Sequence, residues 1–230
     1  MKRNLILSLF GLFLAFGASG CNLGLHRAFI KGYQCRSAEV PTPRTAGDYV
    51  VISRYHYNAG EMDCALGAAE EAIKMEPKNA RAFSMRAYSH YGAKEYWEAL
   101  PDFQIAIQLD PEYPEAYSGR SEVYRDINEL DNAIADMTTA INLAQKGKEF
   151  SYAVDGWTNE RGNLYLQKGD YEKALADFSE AIRLRPDFHL WYKDRAKLYR
   201  QMGKIEEAMV DEEKTVLLLA QRESKKNEGK

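Results

Sequence analysis

The 230-residue chain has a globular composition, with 45% hydrophobic and 28% charged residues, and is long enough for one or two compact domains. Its formal net charge is −3, and no run of lysine and arginine with interleaved aromatic residues stands out. We therefore predict no nucleic-acid partner, because proteins that bind nucleic acids carry a basic surface.

The first 20 residues have the pattern of a secretory signal peptide. Lys2 and Arg3 are followed by an apolar run over 5–16 and by small residues just before Cys21. The apolar run is shorter than the roughly 20 residues that a membrane-spanning helix needs. We predict that residues 1–20 are removed on export.

Residues 18–21 are similar to a bacterial lipobox, the motif whose cysteine becomes the lipidated N-terminus of the mature protein. The resemblance implies a lipid anchor on Cys21. Asn22 favours the outer membrane, facing the periplasm, because an aspartate at this place usually marks retention at the inner membrane. Ala18 and Gly20 also suit ordinary cleavage, so free secretion is the alternative.

Residues 21–45 are predicted to be the lipidated N-terminus and a spacer, because they contain Pro41 and Pro43 and show little helical periodicity. Once Cys21 is assigned to lipid, Cys35 and Cys64 remain. An exported chain meets oxidising conditions, so a Cys35–Cys64 disulfide is one prediction. Two free thiols, with Cys64 as a small packing residue, are the other.

A pattern of small residues repeats five times between residues 46 and 222. In each copy an alanine precedes a second small residue by seven positions, and successive pairs are 34, 34, 41 and 34 residues apart. The pairs are Ala65/Ala72, Ala99/Ala106, Ala133/Ala140, Ala174/Ala181 and Ala208/Thr215. A period of this size predicts stacked copies of one supersecondary unit. The units are 46–79, 80–113, 114–147, 155–188 and 189–222.

Unit 155–188 shows the fullest pattern, which consists of small residues, aromatic residues and a closing proline at set positions. These are Gly162, Tyr165, Gly169, Tyr171, Ala174, Phe178, Ala181 and Pro186. The pattern resembles the tetratricopeptide repeat (TPR) family. The resemblance implies an all-α fold, an α-solenoid of five antiparallel helix pairs that forms a right-handed superhelix, with a concave face that holds peptides or partner proteins.

Two segments fall outside the repeat pattern. Seven extra residues, 148–154, separate the third and fourth units, and because seven residues make two helical turns we predict an extended helix there. Residues 223–230 are charged and poor in apolar side chains, which predicts a disordered tail.

Four units carry an arginine and, sixteen residues later, an aspartate, one on each predicted helix. The pairs are Arg86/Asp102, Arg120/Asp136, Arg161/Asp177 and Arg195/Asp211. The first unit has Ile52 and Ala68 at these positions. We predict a partly buried ion pair in four units and an apolar contact in the first; independent solvated charges are the alternative.

The TPR resemblance implies that the first helix of each unit lines the concave face. The first two units would offer an aromatic and basic stretch, the third a mixed one, and the last two polar and basic residues. These are Arg54, Tyr57, Arg81, Tyr88 and Tyr91; Glu115, Glu122 and Arg125; Asn159 and Asn163; and Lys193, Lys197 and Arg200. Asn163, Lys193 and Lys197 partly match the carboxylate clamp of some family members, and solvated helix surface is the alternative.

The last predicted helix carries Leu217 and Leu219 where other units have polar residues, and no sixth unit follows in the pattern to cover them. They predict a docking patch for a partner, a second copy or the folded-back spacer; a wide core stripe is the alternative.

No catalytic motif occurs in the sequence: neither a phosphate-binding glycine loop, nor His-Glu-x-x-His, Cys-x-x-Cys or Gly-x-Ser-x-Gly. His56 and His90 occupy a position that holds tyrosine in later units, so we expect packing residues rather than metal ligands. We predict no enzyme, cofactor or metal site. The function predicted is a scaffold or adaptor, anchored in the bacterial cell envelope, that binds partner proteins or peptides. The alternative is a soluble secreted module that self-associates through its last helix as a homodimer.

Overall fold

The computed structural model describes residues 29–30, 33–34 and 43–228. The predictions for the signal peptide, for Cys21 and for Cys35 lie outside these residues. Two short strands, β1 (Phe29–Ile30) and β2 (Tyr33–Gln34), pair antiparallel, and β1 lies against the second helix of the chain. No helix in the described ranges combines the length and apolar character that a membrane span requires.

Ten α-helices follow, and they associate as five successive antiparallel pairs. The pairs are α1 (Ala46–Asn58) with α2 (Met62–Met75), α3 (Ala80–Gly92) with α4 (Tyr96–Leu109), α5 (Pro114–Asp126) with α6 (Leu130–Lys146), α7 (Val154–Lys168) with α8 (Tyr171–Leu184), and α9 (His189–Gln201) with α10 (Ile205–Glu228). First helices of neighbouring pairs also touch, as α1 touches α3 and α3 touches α5. The predicted all-α solenoid of five helix pairs is confirmed.

Small residues allow the two helices of each pair to approach closely. All nine alanines of the repeated pattern are fully buried. Ser53 and Ser121 donate hydrogen bonds of 2.7 Å to the carbonyl oxygens of Ala65 and Ala133 on the partner helix. In the fourth pair a Cβ on Gly162 would lie 2.8 Å from Phe178 Cε1, so only glycine fits there without a shift.

The four predicted arginine–aspartate pairs are confirmed. In each, the guanidinium donates two hydrogen bonds of 2.6–2.9 Å to the carboxylate on the second helix. The aspartates are nearly buried, and the arginines are mostly covered. In the first unit Ile52 packs with Ala68 and Cys64, which confirms the apolar replacement.

The arginines also connect successive units. A further guanidinium nitrogen donates to the second helix of the preceding unit: Arg120 to Gln104, Arg161 to Thr138 at 3.2 Å, and Arg195 to Ser179 at 3.1 Å. Aromatic rings of the same helix lie against the guanidinium groups of Arg86, Arg120 and Arg195 and shield them from water, at 5.3–6.0 Å from the ring centroids.

The predicted helix across 148–154 is wrong. Helix α6 ends at Lys146, Gly147 adopts an extended backbone, and a 3₁₀ turn (Ser151–Ala153) leads into α7. Phe150 is buried against Tyr113 and Trp157, with ring centroids 5.8 and 6.4 Å apart. Burial of this ring favours a turn over a continuous helix, since a helix would have to continue through Gly147.

The predicted disordered tail is also wrong where the structure describes it. Helix α10 continues through Glu228, and Ser224 Oγ lies 3.4 Å from the carbonyl oxygen of Ala220. The sequence contains no proline or glycine between Ile205 and Gly229 to end the helix.

The ion pairs give a test of stability. Arg161→Met leaves the nearly buried Asp177 without its cation, so we expect a loss of about 2–4 kcal/mol in the free energy of unfolding. The double variant Arg161→Met with Asp177→Leu should recover most of that loss, because no buried charge is left. Urea denaturation monitored by circular dichroism measures both.

Arg183→Met is the matched control, since Arg183 forms an exposed ion pair with Glu180 on the same helix pair. Little change is expected there. Equal losses for the single and double variants would contradict the role assigned to the pair.

Candidate partner-binding groove

The first helices of the five pairs, α1, α3, α5, α7 and α9, carry the thirteen groove residues inferred from the sequence. Six of them form one cluster across α1, α3 and α5: Arg54, Tyr57, Tyr88, Tyr91, Glu122 and Arg125. We call these six residues the N-terminal groove. Of the other seven, Arg81 pairs beside this groove with the loop after α6, Glu115 binds Arg54, and the remaining five lie on α7 and α9.

Arg54 on α1 is bound to Glu115 on α5, across the helix between them. The guanidinium donates two hydrogen bonds to the carboxylate, at 2.9 and 3.1 Å. Glu115 also accepts a 2.5 Å hydrogen bond from the Tyr113 hydroxyl, and its backbone carbonyl accepts one from Tyr88 at 3.1 Å. This network links the first unit to the third.

The prediction that this end of the groove is basic is therefore wrong. Arg54 is neutralised by Glu115, and Arg81 forms a 2.5 Å ion pair with Glu149 while stacking on the Tyr113 ring. Tyr113 and Glu149 are not among the predicted groove residues, because neither lies on a first helix at an expected groove position.

The tyrosines form a packed cluster. The Tyr57 and Tyr88 ring centroids lie 5.6 Å apart, and Tyr88 meets Phe103 edge-on at 5.1 Å. Tyr91 donates a 3.0 Å hydrogen bond to Asp126 and accepts one of the same length from Arg125. Burial raises the pKa of Tyr57, Tyr88 and Tyr91 above the ordinary value, so these hydroxyls stay protonated at neutral pH.

Arg125 connects three first helices. It donates hydrogen bonds to Asp126 on its own helix, to Tyr91 on α3 and to Glu160 on α7. Its charge is thus offset by two carboxylates, and it is not a free cation in the groove.

Glu122 differs from the other charged residues of the N-terminal groove. It is half-buried, and no described residue donates a hydrogen bond to it or forms an ion pair with it. Burial is the main cause that raises the pKa of its carboxyl group to about 7; Arg125 opposes the rise, and Glu160 and Asp126 add to it. Glu122 therefore titrates in the physiological range.

The last two units present a different surface. Buried Asn159 donates a 2.7 Å hydrogen bond to Asp194, and Arg200 is held by Glu212 of α10 through two hydrogen bonds of 2.6 Å. Lys193 and Lys197 are exposed one helical turn apart. The carboxylate clamp of Asn163 with these two lysines stays a prediction.

A spacing of 35 residues, one unit plus one position, connects first helices along the groove. It joins Tyr91 to Asp126 and Asn159 to Asp194. This spacing is visible in the sequence and could have identified Asp126 and Asp194 as hydrogen-bond partners of groove residues.

The predicted docking residues of the last helix are exposed, Leu217 by 48% and Leu219 by 38%. Met209 and Val216 on the same helix are more exposed still. Met209 and Val216 stand 34 residues after Leu175 and Ile182, which are half-buried within the solenoid.

Within the part of the chain that the structure describes, one group of side chains has metal-ligating chemistry. His56, Glu61 and Cys64 lie with their ligand atoms within 4.8 Å of one another. Cys64 is disulfide-bonded, so its sulfur is not a thiolate. The contact between His56 Nδ1 and Glu61 at 2.8 Å recurs one unit later between His90 and Glu95 at 2.7 Å. Helix packing accounts for the arrangement.

The partner of Cys64 in the disulfide lies outside the described residues, as do both other cysteines of the chain, Cys21 and Cys35. The pairing of Cys35 with Cys64 stays a prediction.

Solved structures with a similar fold come from several bacteria. MamA from Desulfovibrio magneticus RS-1 has a TM-score of 0.65 and 16% identity, covering 79% of this chain and 98% of its own. PilF from Pseudomonas aeruginosa has a TM-score of 0.67 and 14% identity, covering 75% of each chain. YrrB, described as a TPR protein with an unusual peptide-binding site, has a TM-score of 0.57 and 16% identity, covering 75% of this chain and 86% of its own.

At these identities the similarity shows the fold alone. The comparison with curated proteins found no match. Family models for the tetratricopeptide repeat match residues 51–114, 84–147 and 159–188, which together make up more than half of the sequence. The chain belongs to the tetratricopeptide repeat family.

Proposed function

We propose that this protein is a non-enzymatic scaffold of the bacterial cell envelope, which holds a segment of a partner protein in its concave groove. The observation that carries the proposal is the N-terminal groove. There, three tyrosines from two helices and a carboxylate from a third converge on the inner face.

The chemistry of this surface suits peptide recognition. Tyrosine offers a large contact area at a low cost in conformational entropy, and it is enriched at protein interfaces. YrrB, which has a similar fold, is described as having a peptide-binding site.

The ion pairs around the groove also favour binding. The contacts of Arg54 with Glu115 and of Arg125 with Glu160 hold the first helices of units one to four in place before a ligand arrives. A pre-organised surface binds more tightly, because less ordering accompanies association.

The envelope location rests on the resemblance of residues 18–21 to a lipobox and on Cys64. A disulfide at Cys64 is consistent with export, because disulfides persist in oxidising compartments. A lipid on the Cys21 sulfur would leave Cys35 as the cysteine able to bridge to Cys64.

A second candidate function is self-association through α10. The exposed Met209, Val216, Leu217 and Leu219 form an apolar face at the end of the solenoid. Faces of this kind mark interaction sites in soluble proteins. The secreted module that dimerises through this helix is the corresponding alternative.

Photo-crosslinking tests the groove. We expect p-benzoylphenylalanine in place of Tyr91 to crosslink a discrete partner in intact cells. The same amino acid in place of Trp97, which is 71% exposed on a second helix, is the control and should crosslink little. Equal products from both positions, or none from Tyr91, would contradict the proposed groove.

Cell fractionation and thiol counting test the anchor. The Cys21→Ala variant should leave the membrane fraction, because it has no thiol to carry lipid. After denaturation without reduction, iodoacetamide should label no thiol in the lipidated protein and one thiol, Cys64, in the Cys35→Ser variant. Membrane association that survives Cys21→Ala, or a Cys35→Ser variant without a reactive thiol, would refute the assignment.

Sedimentation analysis tests self-association. Leu217→Lys with Leu219→Glu should shift a dimer to the monomer, because charges would line the apolar face. Val51→Lys, which changes an exposed apolar residue on α1, is the matched control and should leave the dimer intact. A wild-type monomer at high protein concentration would exclude this candidate.

A further inference from the structure

We propose that the N-terminal groove binds a lysine or arginine side chain of the partner segment, with Glu122 as its counter-ion and Tyr57, Tyr88 and Tyr91 as the surrounding aromatic walls. We call these four residues the Glu122 cage. The inference rests on the proposed function, since it names the chemistry that the same groove recognises.

The position of Glu122 follows from the contacts of α3 with α5. Tyr88 touches α5 at the Glu115 carbonyl and at Gly119, where an added Cβ would lie 2.8 Å from Tyr88 Cζ. Tyr91 touches α5 about two turns after Gly119, at Asp126. Glu122 is three residues after Gly119 and four before Asp126, so it lies on the same face of the helix, between the two tyrosines.

Tyr57 reaches this place from α1. Its ring packs against that of Tyr88, and its Cε2 would lie 3.2 Å from a Cβ on Gly92, the residue after Tyr91. The charge on Glu122 adds to burial in raising the pKa of all three tyrosines, as expected if their hydroxyls surround the carboxylate.

The balance of charge favours a cation. Arg54 is bound to Glu115, and Arg125 is bound to Asp126 and Glu160. Glu122 is left without a counter-ion among the described residues. An acidic or phosphorylated ligand would meet repulsion from this carboxylate, whereas a basic side chain would supply its missing ion pair.

The tyrosines favour the same ligand. An ammonium or guanidinium group is attracted to the faces of aromatic rings, and more strongly where water is excluded. A metal ion is a poorer fit, because one carboxylate does not provide the six or more oxygen ligands that calcium takes.

Binding should depend on pH through Glu122. The groups that face it are Tyr57 from α1, Tyr88 and Tyr91 from α3, Arg125 and Asp126 from its own helix, and Glu160 from α7. Burial keeps the tyrosines protonated, and Asp126 and Glu160 are held by Arg125. The carboxyl group of Glu122 loses its proton near pH 7, so affinity for a cation should rise between pH 6 and pH 8.

The direct test uses N-acetyl-lysine methylamide as the probe, titrated into the full-length protein while the NMR signals of ¹³C-labelled tyrosine rings are followed. We expect saturable shifts of Tyr57 and Tyr91 at millimolar probe and none of exposed Tyr152. The uncharged norleucine analogue and the glutamate analogue should cause at most weak shifts. Affinity for the lysine probe should be about tenfold higher at pH 8 than at pH 6, because lysine stays charged over this range.

Glu122→Gln should weaken binding of the lysine probe at pH 8 by about fivefold or more and remove its pH dependence. Glu112→Gln, which changes an exposed glutamate just before α5, is the matched control and should bind like the wild type. Equal binding of the lysine and norleucine probes, or no loss in Glu122→Gln, would overturn the proposal.

A stability measurement shows whether the variant is folded. Because the pKa of Glu122 is higher in the folded state than in the unfolded chain, stability declines as pH rises from about 4.5 to about 7 and is level above that range. Glu122→Gln should therefore melt several degrees above the wild type at pH 8 and close to it at pH 4.5. A lower melting temperature at pH 8 would show that Glu122 already has a counter-ion, which overturns the proposal.

The outcomes separate this proposal from the scaffold function. A partner crosslinked at Tyr91 together with no response to the lysine probe would reject cation recognition and leave the scaffold standing. Binding of the lysine probe without any crosslinked partner would reject the scaffold and leave a cation-binding groove.

Discussion

The solenoid depends on one recurring interaction, the buried pair of an arginine on the first helix of a unit with an aspartate on the second. Two hydrogen bonds orient the guanidinium, aromatic rings cover it in three of the four units, and in units three to five another nitrogen reaches the preceding unit. A nearly buried carboxylate is costly unless it is paired, so the fold is stable where the two helices bring these groups together. The same side chain thus sets the geometry within a unit and between units.

Ion pairs between arginine and carboxylate groups also occur on the first helices, where they shape the groove. Arg54 and Arg125 are bound by carboxylates from neighbouring helices, which braces the groove and removes its positive charge. Glu122 is the carboxylate that this arrangement leaves among the tyrosines. The bracing contacts therefore also define the sign of charge that a ligand meets.

Much of the fold could be predicted from the sequence, because each unit repeats the same offsets. The alanine pairs and the sixteen-residue spacing of arginine and aspartate identified the helix crossings and the ion pairs correctly. The two wrong predictions of secondary structure concern segments outside the repeats, residues 148–154 and the tail after the fifth unit. Phe150 is buried in the segment after α6, and α10 continues past the last unit.

The candidate site was only partly predictable. The sequence by itself determined which helix carries each groove residue and which pairs form within a unit, because helical geometry and short separations decide those contacts. Tertiary structure alone decided which charges of the groove are neutralised. Arg54 and Glu115 are 61 residues apart and meet only because three units stack, so no local pattern indicates that Glu122 has no counter-ion among the described residues.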